Sequence, residues 1–332
     1  MKIDIFPHIM PVKYKEAFYK EAPPNFYHKE LTEAIPTLFD LESRFRIMDK
    51  HEGLIQVLNL AQPPVEEIFD PQKATDMAKL ANDEMAELVL KYPDRFAAAV
   101  ACLPMNNMEA ALKEVDRAVK DLKFRGVQIY TPINDKPLDS PEFMPLYEKM
   151  SQYNLPILIH PMRNGICADY KGEEKSKYNI FIVIGWPYET AAAMIRLVFS
   201  GVLEKYPNLK FITHHCGSMI PFFEQRIENI YDSFEMRQGD TSTQGLTKKP
   251  LDYFKMFYND TAVNGSTAAL MCGYAFCGAD HLLFGTDMPF DSQLGDRFLR
   301  QTIESIERME IPDFEKKMIF EDNARKLLRL PV

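Results

Sequence analysis

Four short apolar runs in this chain end in residues that bind metals or move protons. MKIDIFPHIMP opens the sequence and carries His8. LPILIHP carries His160, LKFITHHCG carries His214 and His215, and HLLFGTDMP carries Asp287. His8, His160 and Asp287 make a set of two imidazoles and one carboxylate. Such a set suits a catalytic Zn²⁺ or a similar divalent ion, with at least one position left for water or substrate. Asp287 has three roles open to it: ligand, general base and proton donor. A carboxylate beside a metal can combine them. Taken singly, each histidine reads as a hydrogen-bonded, partly buried side chain. Their recurrence at the ends of four runs is what points to a site.

The neighbours of these residues sort less sharply. His214 and His215 are adjacent, so on a strand they point to opposite faces. His215 comes last, before the sharp turn Cys216-Gly217, and is taken as the one that enters the site. His214 is expected to pack behind the strand. Cys216 reads as a small buried filler rather than a thiolate ligand. Asp260, at the end of another run, reads equally as a turn acceptor. Arg163 closely follows His160 and is suited to grip a substrate carboxylate. His28 and His51 fall in a polar segment and on a helix, and His281 begins a run instead of ending one.

These residues need a scaffold that brings run ends together. Strand-like runs at 3–5, 54–60, 96–103, 126–130, 155–160, 209–214, 255–260 and 282–287 alternate with helical segments. The helix over 71–91 shows the pattern well, with Met77, Leu80, Ala81, Met85, Leu88 and Val89 on one side. Eight alternations over 332 residues predict an α/β fold, a (β/α)₈ TIM barrel in one domain spanning 1–332. A doubly wound sheet would want a glycine-rich first turn, and the first turn here is Phe6-Pro7-His8. In a barrel, active sites sit at the C-terminal strand ends. That places His8, His160, His215 and Asp287 on strands 1, 5, 6 and 8, in one mouth. Phe6 lies two residues before His8 and shares its face. Segment 12–39 fits no period and holds Pro23 and Pro24. It reads as an insertion after strand 1, a lid or a dimer contact.

Composition narrows the partners. A net charge of −9, from 39 basic and 48 acidic residues, argues against nucleic acid. It leaves room for a small carboxylate substrate held by a local arginine. No apolar run approaches the ~18 residues of a spanning helix, so no membrane partner is expected. Five cysteines at irregular spacing, with no CxxC, read as reduced thiols in a cytoplasmic protein.

Several longer stretches are together distinctive: LANDEMAELV, RGVQIYTPINDKPLDSPEF, GWPYET, GVLEKYPNLKFITHHCG, LLFGTDMPFD and DNARKLL. With the opening MKIDIFPHIMP and LPILIHP, the chain resembles the decarboxylase branch of the amidohydrolase superfamily. That branch holds aminocarboxymuconate-semialdehyde decarboxylase and γ-resorcylate decarboxylase, and the resemblance covers nearly the whole length. It implies a metal-holding barrel that decarboxylates unsaturated or aromatic carboxylic acids. The family's metal positions map onto His8, His160 and Asp287. Its catalytic histidine maps onto His215, and an arginine that reaches into a neighbouring subunit's site maps onto Arg226.

One position departs from the pattern. The family opens with His-x-His, or with Glu in place of the first His, and here Phe6 stands at that first position. Phe6 cannot ligate a metal, so it is placed with Trp186, Arg163 and Arg226 among the substrate-binding residues. The expectation is a metal-dependent carboxy-lyase with Asp287 and His215 as catalytic groups. The ion is expected to be zinc, with manganese or magnesium as alternatives. The assembly is expected to be a homodimer with the Arg226 helix near its interface. A hydrolase or hydratase on the same barrel is the rival enzyme reading. A catalytically silent ligand-binding barrel is the rival from another class.

Overall fold

A computed structural model of the chain describes residues 1–24, 26, 29–239, 242–243 and 245–331. Among the described residues the barrel is assembled from ten strand pieces. β1 (Lys2–Asp4) and β2 (His8–Ile9) are two parts of one stave. Both pair in parallel with β3 (Leu54–Leu60), Lys2 against Leu54 and His8 against Asn59. β4 (Phe96–Ala99) and β5 (Ala101–Cys102) form the third stave. β6 (Val127–Thr131), β7 (Pro156–Pro161), β8 (Lys210–Thr213), β9 (Tyr258–Asp260) and β10 (Leu282–Leu283) follow in order, each parallel to the last.

Backbone hydrogen bonds close the ring. Val100 N donates to Leu58 O at 3.0 Å, joining the second stave to the third. At the other seam, Ile5 N donates to Phe284 O (2.9 Å), Asp287 N to Phe6 O (3.1 Å) and His8 N to Met288 O (2.7 Å). The last stave therefore lies against the first, as the predicted TIM barrel requires.

Alternation sorts the side chains into two cores. Ile3, Val57, Ala98, Leu158, Ile212 and Leu283 fill the barrel interior. Ile157, Ile159 and Phe211 point outward to the surrounding helices. Capping sets where those helices begin. Asp70 accepts from Gln72 N and Lys73 N at the start of the helix Pro71–Lys91, and Pro71 occupies its first position.

Several boundaries differ from expectation, the seventh strand among them, which is regular only over Tyr258–Asp260. The first strand breaks at Pro7, which has no N–H to give the ladder, and resumes at His8, which starts a strand piece instead of ending one. The eighth strand is regular only over Leu282–Leu283. Segment 12–39 is folded against the barrel. It holds the helices Val12–Glu21 and Lys29–Glu33 and a turn at Pro36–Leu38. Tyr14 and Phe18 are buried, and Lys13 N and Tyr14 N donate to the Glu84 carboxylate at 3.0 and 2.9 Å. Two aromatic residues four apart were too short a pattern to stand out in the sequence. His28 lies outside the described residues.

One helical stretch, Phe181–Phe199, is long and apolar enough by composition to cross a membrane, contrary to the sequence expectation. In this fold it is one of the barrel's outer helices. Ala193, Met194, Leu197 and Val198 are buried, and its charges are paired, Glu189 with Arg163 and Arg196 with Asp139.

Candidate active site

The inward side of each stave continues past its last core residue to a polar one. Leu158 is followed two residues later by His160, Ile212 by His214, and Leu283, through Gly285, by Asp287. At the top of the barrel, one donor atom from each of His8, His160, His214 and Asp287 lies within 4.8 Å of the others. The ring centroids are 5.1 Å apart for His8 and His160, 5.2 Å for His160 and His214, and 6.2 Å for His8 and His214.

Asp287 divides its two oxygens between two environments. Oδ1 lies 3.2 Å from His8 Nε2 and 3.4 Å from His214 Nε2. Oδ2 faces His215 Nε2 at 4.0 Å. Burial opposes ionisation of this carboxyl, but the His214 and His8 imidazoles hold its pKa well below the ordinary carboxylate range. Burial pushes His8 and His160 the other way, toward the neutral form a metal ligand needs. His215 is also lowered, by burial and by the charge of His214.

Surrounding groups fix the imidazoles. His160 Nδ1 donates to Pro161 O at 2.7 Å, which leaves its Nε2 free. His214 Nδ1 donates to Asp260 Oδ2. Asp260 in turn accepts from Cys216 N and Ala262 N, both at 3.0 Å through Oδ1. His8 is held through its backbone: buried Arg44, on the helix Leu41–Met48, donates to His8 O at 2.8 Å and to Gln56 Oε1 at 2.9 Å. Both nitrogens of His8 and Nε2 of His214 are buried without a directed hydrogen bond. Orphaned imidazole nitrogens beside a carboxylate are costly unless something occupies the space between them. The donor set therefore fits a divalent cation.

Aromatic rings wall the cluster. Phe6 lies flat on His214, with centroids 4.1 Å apart and planes at 15°. Tyr130 and Trp186 approach His160 at 5.1 and 5.4 Å, and Phe290 approaches His8 at 5.3 Å. Above them opens a cleft of about 540 Å³, bordered by His215, Asp287, Gln62, Ser218 and Asn264, with Ile182, Met219 and Phe298 among its apolar walls. Leu31, from the inserted segment, reaches its rim.

The sequence-derived residues therefore divide. His8, His160, His215 and Asp287 meet as expected, and Phe6 and Trp186 border the same space. His214 does not pack behind the strand. The ladder of β8 ends at Thr213, and His215, Cys216, Gly217 and Ser218 all take positive φ, between 56° and 69°. That left-handed turn swings His215 back over the mouth, so both imidazoles enter it, their centroids 3.8 Å apart. Asp260 proves to be a partner of His214 and not only a turn acceptor. Cys216 is buried as the expected filler.

The two arginines do not line the cleft of their own chain. Arg163 Nη1 donates to Glu189 at 2.9 Å and borders a neighbouring recess with Tyr170 and Tyr188. Its Nη1 is already paired with the Glu189 carboxylate. Arg226 is exposed on the helix Glu224–Gln238. The sequence signal for His214 was present in its phase with Ile212. Tyr130 is likewise in phase with Gln128 on β6.

Comparison with known proteins agrees with this geometry. The amidohydrolase family model matches residues 28–330. A γ-resorcylate decarboxylase of Polaromonas sp. is 32% identical over 314 residues, covering 91% of each chain. A 2-amino-3-carboxymuconate-6-semialdehyde decarboxylase of Dictyostelium discoideum is 28% identical, covering 99% of this chain and 92% of that protein. Among solved structures, a dihydroxybenzoic acid decarboxylase from Polaromonas, with bound manganese and the inhibitor 2-nitroresorcinol, superposes with a TM-score of 0.78 at 28% identity. It covers 99% of this chain and 96% of its own. By family match, by relatives along nearly its whole length and by fold, this chain belongs to the amidohydrolase family.

Proposed function

We propose that this protein is a metal-dependent decarboxylase of a small aromatic carboxylic acid. The observation that carries the reading is the division of Asp287, one oxygen toward the imidazole cluster and the other toward His215 in the cleft. One carboxylate thus touches both the metal-binding side and the proton-handling side of the site. The relatives named above support the reaction class.

His8, His160 and Asp287 would hold the ion, and its chemistry there is Lewis-acid polarisation of the substrate's carboxylate and an adjacent oxygen. Manganese in the Polaromonas structure supports that ion over the zinc expected from the sequence. Asp287, ionised in the free site, stands where it can receive a proton through His215 when substrate binds and pass it to the ring carbon that bears the carboxylate. The carbon–carbon bond then breaks, its electron pair returns to the ring, and CO₂ leaves. His215 is placed to replenish Asp287 from the cleft. Trp186 is fixed by Nε1 donating to Arg163 O at 3.2 Å, so it presents a rigid face against which an aromatic ring packs.

The cleft borders also bear on the substrate. Among the described residues that line it, none is Lys or Arg. A substrate with one carboxylate, an aromatic ring and a hydroxyl suits those walls better than a dicarboxylate. The assembly we infer is a homodimer in the cytoplasm. The exposed Phe222, just before the Arg226 helix, and Met236, near its far end, at 76% and 77% accessibility, support a second copy as partner, and five unpaired cysteines support a reducing compartment.

The test is CO₂ release across hydroxybenzoates, carboxyvanillate and muconate-type acids, with manganese supplied. Turnover of a hydroxylated benzoate is expected. Uptake of water without CO₂ would favour the hydrolase or hydratase reading. No turnover of any acid by a fully metallated protein would favour a silent binding barrel.

A further inference from the structure

We propose that His214 is a fourth protein ligand to the metal and that Asp260 is its positioning residue. This rests on the metal-dependent reading above and adds to it a donor from the sixth stave, in a site whose first stave gives Phe6 where an imidazole was expected.

The geometry is specific to His214. Its side chain is buried, and its Nδ1 is committed to Asp260, itself locked by two backbone N–H groups. A histidine whose one nitrogen donates to a carboxylate presents the other as a lone pair once a cation displaces that nitrogen's proton, the arrangement typical of metal ligands. That other nitrogen, Nε2, has no directed partner and lies 3.4 Å from Asp287 Oδ1. Two ligands on one tetrahedral zinc stand ~3.4 Å apart at ordinary Zn–N lengths. His8 Nε2, at 3.2 Å from the same oxygen, has matching spacing.

Phe6 completes the case. Its ring covers one face of the His214 imidazole at 4.1 Å, and the His215 ring lies 3.8 Å away. Between those rings, with Asp260 on one edge, the remaining direction for His214 is toward His8, His160 and Asp287. Phe6 is thus not a gap in the ligand set. It is the wall that aims a ligand supplied from another strand. His215, the outer ring of this packing, stays on the cleft.

The experiment compares Mn²⁺ and Zn²⁺ affinity, by chelator competition, for the parent protein, His214→Ala, Asp260→Asn and His215→Ala, with circular dichroism to confirm folding. Loss of a ligand should weaken binding by more than ~100-fold in His214→Ala. Loss of its orienting carboxylate should weaken it ~10–100-fold in Asp260→Asn, with recovery in Asp260→Glu. His215→Ala should bind as the parent does. The visible spectrum of the Co²⁺ form should change in His214→Ala and not in His215→Ala. Parent-like affinity in folded His214→Ala would overturn the assignment while leaving metal dependence standing. So would a drop in turnover with affinity unchanged, which would make His214 an acid–base group. If His214→Ala does not fold, Asp260→Asn decides by the same affinity criterion. A parent that retains no divalent ion would instead overturn the metal-dependent reading itself.

Discussion

Phe6→Ala should destabilise the protein strongly although residue 6 lies beside a polar cluster. Phe6 is fully buried, in the same interior cluster as Ile3, Val57 and Leu158. The surrounding backbone has little freedom to close a gap. A Cβ placed on Gly285 would stand 3.1 Å from Phe6 Cβ and 2.9 Å from Asp260 Cβ, so the first, seventh and eighth staves already abut there. Deleting a buried phenyl ring from such a site costs ~3–5 kcal/mol. An unfolding entropy of ~2.1 cal/mol/K per residue, over the 332 residues, makes that a fall in Tm of roughly 4–7 °C. The assay is thermal unfolding followed by circular dichroism, with and without a chelator so that metal stabilisation is separated from packing. Phe6→Leu, which keeps most of the volume, should lose less. A shift under about 1 °C in Phe6→Ala with chelator present would refute the packing described here, and with it the account of Phe6 as the wall behind His214.

Three further outcomes follow from the same structure. Dialysis against a strong chelator should abolish CO₂ release, and added Mn²⁺ should restore it; full activity in protein shown by elemental analysis to be metal-free would contradict the site. Glu66 is buried, and desolvation lifts its carboxyl from 4.5 to about 8. The folded protein therefore holds a proton there that the unfolded chain has released, so this stability contribution is full below pH ~4.5 and is lost as the pH rises through ~8. Urea unfolding from pH 5 to 9 should show Glu66→Gln gaining on the parent by several kcal/mol toward alkaline pH; parallel curves would refute it. Replacing exposed Phe222 and Met236 with Asp should shift the protein toward monomer in sedimentation, and an unchanged mass, or a monomeric parent, would remove the proposed dimer face.

Much of the barrel was legible because strand alternation and helix caps are local signals. The seven residues of β3, five of them apolar and all buried, could be bounded from the chain alone. What escaped was non-local or depended on backbone twist. His214 was set aside by assuming that β8 stays extended through residue 215. The left-handed turn that begins at His215 removes the assumption, and only Gly217 among its four residues advertises such a turn. Arg163 was credited with a free charge because Glu189, 26 positions later, could not be seen to reach it. His8, His160 and Asp287 were found because chemistry at strand ends depends on topology, and the alternation of elements discloses topology. The partners that orient them, Arg44 and Asp260, gave no comparable sign, since a buried arginine and a surface one read alike in sequence.

The seam between the first and last staves has a bearing on how the molecule is made. His8 and Asp287 face each other only because His8 N bonds to Met288 O and Asp287 N to Phe6 O. As the chain leaves the ribosome, His8 and Asp287 are synthesised 279 residues apart. No partial product from the N-terminus can hold the ion with its full complement of ligands. The entropy of joining such distant segments rises only as the logarithm of their separation, but contacts this remote in sequence are slow to form. Metal uptake thus becomes a late event that reports the arrival of the eighth stave. A cation bound across that join acts as a clasp, opposing the opening that would otherwise begin where the two ends of the chain meet.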